Sequence, residues 1–171
     1  TARALSVLSG VDMSGTDKAY RRDFILSKEG YDFAKRRLVM ASALQFILPG
    51  VPSIYYGDEQ GMEGYEDPLC RRTLDWDNID KDLLSHYTKL GDIRKNYKAQ
   101  VCGDTYFERQ GDLLILCRKG KKGILKAVAN NNFNSQTFYY PNAKKELLSG
   151  EKTSGECFDI SGGEIKIFFG N

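Results

Sequence analysis

From Tyr31 to Leu48 the apolar residues Ala34, Leu38, Ala41, Leu44 and Leu48 recur at helical spacing, and an apolar run, Val51 to Tyr56, follows directly. The spacing predicts a helix that stops at Pro49-Gly50, wetter in its first half, where Lys35, Arg36 and Arg37 lie. From Leu38 onward it is apolar nearly all round, which a helix sustains only when other elements cover both sides. Val51 to Tyr56 predicts a short strand buried on both faces, the kind found in parallel sheets. After Gly57 comes a loop of roughly twenty residues; loops that long in compact domains are usually functional or disordered. A second helix is predicted from an N-cap at Asp80, with Leu83, Leu84, Tyr87, Leu90, Ile93 and Tyr97 on one face. Gly91 inside it costs about 1 kcal/mol relative to alanine. Helix, buried strand, long loop, helix is the order of one βα unit.

Near Lys98 the pattern changes. Strands are predicted at Thr105 to Arg109, Leu113 to Arg118, Ile124 to Asn130, Gln136 to Tyr140, Lys144 to Leu148 and Glu164 to Phe169. Gly, Asn, Asp and Ser clusters separate them, as in an antiparallel sandwich.

Charge narrows the partners. Twenty-five basic and 23 acidic residues leave a formal charge of +2, so nucleic acid and anionic membrane are not expected and a neutral ligand is. The longest apolar stretch, Leu38 to Pro52, is broken by Ser42, Gln45, Pro49 and Gly50 and falls short of the ~20 residues of a membrane helix. Cys70, Cys102, Cys117 and Cys157 are widely spaced, without a CxxC pair, which argues against zinc or a redox motif. Two disulfides and four reduced thiols are both open readings. Reduced thiols in a cytoplasmic protein are the simpler expectation. The opening TARALSVLSG does not resemble a secretion signal. No metal and no cofactor is expected.

The segment Leu48 to Trp76, LPGVPSIYYGDEQGMEGYEDPLCRRTLDW, closely resembles the eighth strand and following loop of the alpha-amylase family of glycoside hydrolases (family 13). Members of that family show a GxPxxYYGxE strand followed by an NDPxNR-like turn. Thr1-Ala2-Arg3 is similar to the tail of the family's NHDTxR motif. The resemblance implies the end of a (β/α)8 TIM barrel, its last βα unit, over residues 1–97, followed by a C-terminal all-β antiparallel sandwich over 98–171. It is strong for residues 31–97 and architectural beyond. The DP-x-C-R form leans toward the neopullulanase and cyclomaltodextrinase group.

A retaining glycosidase needs two carboxyl groups ~5 to 5.5 Å apart across the scissile bond. In the family these, and a third carboxylate, come from strands four, five and seven, and on this alignment the third would immediately precede Thr1. No catalytic residue is therefore expected here, and the piece alone should be inactive. Asp58, Glu59, Glu63, Glu66, Asp67, Asp75 and Asp77 are the acids that would otherwise be tested as a cleaving pair; most suit a solvated loop. The resemblance gives Asp67 and Arg71 the task of holding the glucose unit beside the cleavage point. A carboxylate accepting hydroxyl protons next to a fork of guanidinium donors can orient vicinal hydroxyls. The alternative for the pair is a local salt bridge. Arg72 and Arg3 are further substrate-binding candidates. Tyr55, Tyr56 and Trp76 suit either sugar stacking or the core, with core the expectation, and Arg118 to Lys122 suits a solvated turn.

The expected partner of the intact enzyme is an α-glucan or malto-oligosaccharide. Without covering strands, the apolar helix half implies self-association or local disorder of the piece. The competing classes are a non-catalytic amylase-like interaction protein and a carbohydrate-binding module over 98–171, with Tyr106, Tyr139 and Tyr140 as its contact candidates.

Overall fold

Two of the predicted helices form because each has a side-chain cap and a stop. A computed structural model describes residues 2–171, with all side chains except that of Ala99. Thr1, the first residue of the Thr1-Ala2-Arg3 match, lies outside the described residues. Helices run α1 (Ala4–Leu8), α2 (Lys18–Asp23), α3 (Lys28–Ile47), α4 (Lys81–Asn96) and α5 (Lys98–Val101). Strands are β1 (Asp104–Gln110), β2 (Leu113–Gly120), β3 (Gly123–Ala129), β4 (Gln136–Tyr139), β5 (Ala143–Glu146), β6 (Cys157–Ile160) and β7 (Ile165–Gly170). Ser27 Oγ accepts from the Gly30 amide at 3.1 Å at the start of α3, and Asp80 Oδ1 accepts from the Asp82 and Leu83 amides at 3.1 and 3.0 Å before α4.

The chain divides into two compact units, Thr1–Val39 with Ser53–Tyr87 and Met40–Pro52 with Thr88–Asn171. The first is built on Leu5, Leu26, Ala34, Leu38 and Leu83. Full burial of each leucine contributes about 1.5–3 kcal/mol. Asp80 ties α3 to the start of α4: it accepts from Lys35 Nζ at 2.8 Å and from Tyr31 Oη at 2.9 Å. Partial burial pushes its carboxyl up, but Lys35, the Leu83 amide and Tyr31 outweigh that and hold it below the usual range.

The second unit is a five-stranded antiparallel sheet, β1-β2-β3-β7-β5, faced by the pair β4-β6. One face carries Leu113, Ile115, Cys117, Val128 and Phe168 against Phe138, Tyr140 and Ile160. The other face is also buried, at Leu116, Leu125, Ala127 and Ile167, where α5 packs on β2 and β3. That double coverage explains why β2 and β3 are apolar without clean alternation. Six of the seven strands fall within two residues of their predicted bounds. β6 carried no signal of its own, because Cys-Phe-Asp-Ile is short and sits in a run of Gly, Ser and Glu.

Several expectations are corrected. Val51 to Tyr56 is not a strand and is not buried: Val51 is 92% exposed, and the segment has no ladder partner among the described residues. A strand is stabilised by neighbours, and β-branched residues without one stay irregular. The buried face of α3 also shifts. Ala34 and Leu38 are buried as predicted, but Ala41 and Leu48 are exposed, while Ala43, Phe46 and Ile47 are buried. At 3.6 residues per turn the buried stripe rotates by roughly 0.4 of a turn, because the two halves of α3 fall in different units. On α4, Leu84 is exposed beside the buried Leu83, Tyr87, Leu90 and Ile93. Arg118 is no solvated turn residue: it is buried and donates to the carbonyls of Ile47, Val101 and Gly103. Burial pushes its guanidinium pKa down.

Candidate functional site

The first unit holds the segment that carries the resemblance, and its anchor is Arg3. The side chain is only 1% exposed. Its Nη1 donates to the Tyr56 carbonyl at 2.6 Å and lies 3.4 Å from Asp58 Oδ1. The guanidinium also lies over the rings of Tyr55 and Tyr56, at 4.9 and 4.8 Å. Its remaining Nε and Nη2 are buried without a protein partner. Cation–π contact with two rings offsets part of the cost of burying the charge. The turn after Tyr56 needs Gly57, whose φ is +86° and whose missing Cβ would collide with the Met62 side chain and crowd Arg3. Glu59 accepts from the Gly57 amide at 2.9 Å, so this acid shapes the turn. Burial pushes the Asp58 carboxyl above its ordinary value, and the adjacent Arg3 only partly reverses that.

Asp67 and Arg71 form a direct ion pair, Nη2 to Oδ2 at 2.9 Å, spanning the turn that contains the cis Asp67-Pro68 bond. Their side chains are 65% (Arg71) and 53% (Asp67) exposed, so both keep donors and acceptors facing solvent. An exposed pair of this kind contributes at most about 1 kcal/mol to stability. Together with Arg3, Tyr55, Asp58 and Cys70 they line a cavity of about 480 Å³. Three of the four predicted binding residues thus meet around one hollow.

Arg72 points elsewhere. It donates to the Arg22 carbonyl, and it lines a second cavity of about 710 Å³ with Tyr31, Glu63, Asp75, Asp77 and Asp80. Burial pushes the Glu63 carboxyl up, against the pull of its hydrogen bond from the Leu26 amide. The aromatic residues expected in the core are at the surface: Tyr55 and Tyr56 are half exposed and Trp76 more so. Their position leaves ring faces open for stacking. Asp58 is the site residue that sequence reasoning underrated. The signal was its place directly after Tyr-Tyr-Gly, where a chain reversal turns it back toward Arg3. Among the described residues, no group of three or more His, Cys, Asp or Glu is placed to hold a metal ion. All four cysteines are free, Cys70 and Cys117 buried and Cys102 and Cys157 exposed. No described helix is long and apolar enough to cross a membrane.

No family model matches the chain. It is 44% identical over 78 residues to an amylopullulanase of Thermoanaerobacter thermohydrosulfuricus, covering 46% of this chain and 5% of that protein. It is 41% identical over 143 residues to a cyclomaltodextrinase of Geobacillus thermopakistaniensis (strain MAS1), covering 78% of this chain and 24% of that protein. Among solved structures, it superposes on a maltogenic amylase from S. marinus with a TM-score of 0.69 and 28% identity, over 78% of this chain and 19% of that one. The chain therefore spans less than a quarter of the length of these relatives. Sequence likeness to several such enzymes, together with a shared fold, identifies this chain as a stretch of the alpha-amylase family of glycosidases.

Proposed function

We propose that this chain is part of a longer retaining glycosidase acting on α-glucosidic bonds of starch-derived oligosaccharides, and that it supplies a sugar-gripping subsite rather than the cleaving acids. The observation that carries the reading is the convergence of Asp67, Arg71 and Arg3 on one cavity. The Asp67 carboxylate accepts from two adjacent hydroxyls of a glucose unit while Arg71 donates to one of them, and the existing pair holds both groups ready. Arg3 acts from beneath, fixing the Tyr56 backbone and Asp58 so that the wall of the hollow keeps its shape. Arg72, with its side chain turned to Arg22, takes the weaker role of steadying the loop.

On this reading residues 1–97 are the end of a (β/α)8 barrel, residues 98–171 its C-terminal sandwich, and the longer enzyme is cytoplasmic. The exposed Val51 to Tyr56, outside any strand ladder among the described residues, supports the first point, since such a segment suits a parallel strand whose neighbours lie on other parts of a longer chain. The same exposed apolar surface drives self-association of the 171-residue piece. The test is the kinetics of Asp67→Ala in the longer glycosidase. Loss of a charge-assisted hydrogen-bond pair is worth about 1.5–3 kcal/mol, so kcat/KM on maltoheptaose should fall by about ten- to hundredfold. An unchanged kcat/KM would remove Asp67 from the site.

A further inference from the structure

The second unit carries an exposed aromatic that its core does not explain. Phe133, at the tip of the 130–135 loop between β3 and β4, is 99% exposed. The loop beneath it is held firmly. Asn130 is fully buried; its Nδ2 donates to the Asn134 and Ile160 carbonyls at 2.9 and 2.8 Å, and its Oδ1 accepts from the Asn132 amide at 3.1 Å. The Asn130 backbone adds bonds to Glu164 and Gly163. On the other side, a Cβ at Gly162 would collide with the Phe133 carbonyl, so the tip rests directly on that backbone. The ring is thus presented on a braced support.

Its surroundings indicate the ligand. Asn131, Asn132 and Asn134 flank the ring, all exposed, and their side-chain amides make no hydrogen bond among the described residues. No charged residue occurs from Asn130 to Asn142 or from Ile160 to Gly163. Each amide both donates and accepts, the complement of neighbouring hydroxyls, and the ring offers a flat apolar face. A loop tip combining one ring with several free amides, with the Glu164 carboxylate at its base engaged by the Ser161 amide and by Lys166, fits a neutral polyhydroxylated ring with an apolar C–H face. A single isolated ring is too small to nucleate a stable protein interface, which needs about 1,000 Å² or more.

We infer that the Phe133 loop is a second glucan-contacting site, separate from the Asp67–Arg71 hollow, in which one glucose unit of an α-glucan stacks on Phe133 and the flanking asparagine amides bond its hydroxyls. The inference rests on the reading that the enzyme works on α-glucans. Such a site would hold a long chain to the protein without taking part in cleavage.

The test is a titration of the 171-residue chain with maltoheptaose, followed by backbone amide NMR, for the wild type, Phe133→Ala and Asp67→Ala. The expected result is saturable shifts at residues 131–134 that persist in Asp67→Ala and weaken by about tenfold or more in Phe133→Ala, matching loss of one buried ring. Phe133 is outside the core, so its replacement leaves the fold intact as a control. No response at 131–134, or binding there that survives Phe133→Ala, overturns the inference. Shifts confined to Asp67 and Arg71 would overturn it too, while supporting the reading on which it rests. Silence at both regions would end the Phe133 site and leave the Asp67 reading to its own kinetic test.

Discussion

The β-sheet of the second unit and the segment Leu48 to Trp76 start from similar raw material and end differently. The sheet strands and the run Val51 to Tyr56 within that segment are both rich in β-branched and aromatic residues. In the sheet, Ile115 pairs with Val128 on one side and Glu108 on the other, and Ile115 and Val128 are fully buried. In the loop segment, Val51, Ile54, Tyr55 and Tyr56 lie exposed, without a ladder. The sheet completes itself from within its own unit: β1, β2 and β3 follow one another through short turns, and β7 returns to pair with both β3 and β5. A parallel strand requires neighbours brought from far along a chain. Strand propensity is therefore a demand for a partner, met within the unit in one region and by no described residue in the other.

The sharpest way to break this comparison is to truncate the sheet core. Phe168 packs against Phe138 and Phe158 at ring distances of 5.4 and 4.8 Å. Phe168→Ala should destabilise the second unit by about 3–5 kcal/mol, measured by urea denaturation; a loss under about 1 kcal/mol would mean that the core is loosely packed. Next in size is Asp80→Ala in the first unit. It removes a helix cap and leaves Lys35 and Tyr31 without their shared carboxylate, so about 2 kcal/mol should be lost. Because the folded carboxyl is held low, that contribution is present above the ordinary value near 3.8 and fades as pH falls through the folded value. The variant should show a flatter acid limb than the parent.

The alkaline limb belongs to the sheet. Burial, reinforced by the Glu108 carboxylate, pushes the Cys117 thiol up to about 12, and burial does the same for the Tyr140 hydroxyl. Both groups hold their protons more tightly folded than unfolded. Their contribution is complete below the ordinary values near 9 and 10 and is lost as pH rises toward 12. Circular dichroism melts from pH 8 to 11 should show falling stability, with a shallower slope in Cys117→Ala. The smallest effect is expected where the comparison predicts none. Val51→Ser in the 171-residue chain, diluted until it is monomeric, should change stability by no more than about 0.5 kcal/mol. A cost of several kcal/mol in the monomer would show that the segment is packed within the chain after all.

Sequence reading recovered what local rules determine. The two long helices, six strands and the Asp80 cap follow from periodicity and punctuation, and Asp67, Arg71 and Arg3, singled out by two separate motif matches, line one hollow. It failed where the outcome depends on remote coverage. Val51 to Tyr56 reads as buried because its composition is that of a covered strand, and the described residues offer it no ladder. Arg118 reads as solvated because it heads a run of lysines, yet it satisfies carbonyls at the ends of two helices. The rotation of the buried face along α3 was hidden because one helix serves two units, and a single periodicity cannot represent both. Arg72 neighbours Arg71 in sequence but points into another hollow, since adjacent residues leaving a tight turn diverge.

The central claim is that the Asp67–Arg71 hollow grips sugar while the cleaving acids are supplied from elsewhere. Its most direct test is the rate of maltotriose hydrolysis by the purified 171-residue chain. The account predicts a rate equal to that of buffer alone; turnover that disappears on replacing Asp58, Glu63 or Asp67 would contradict it.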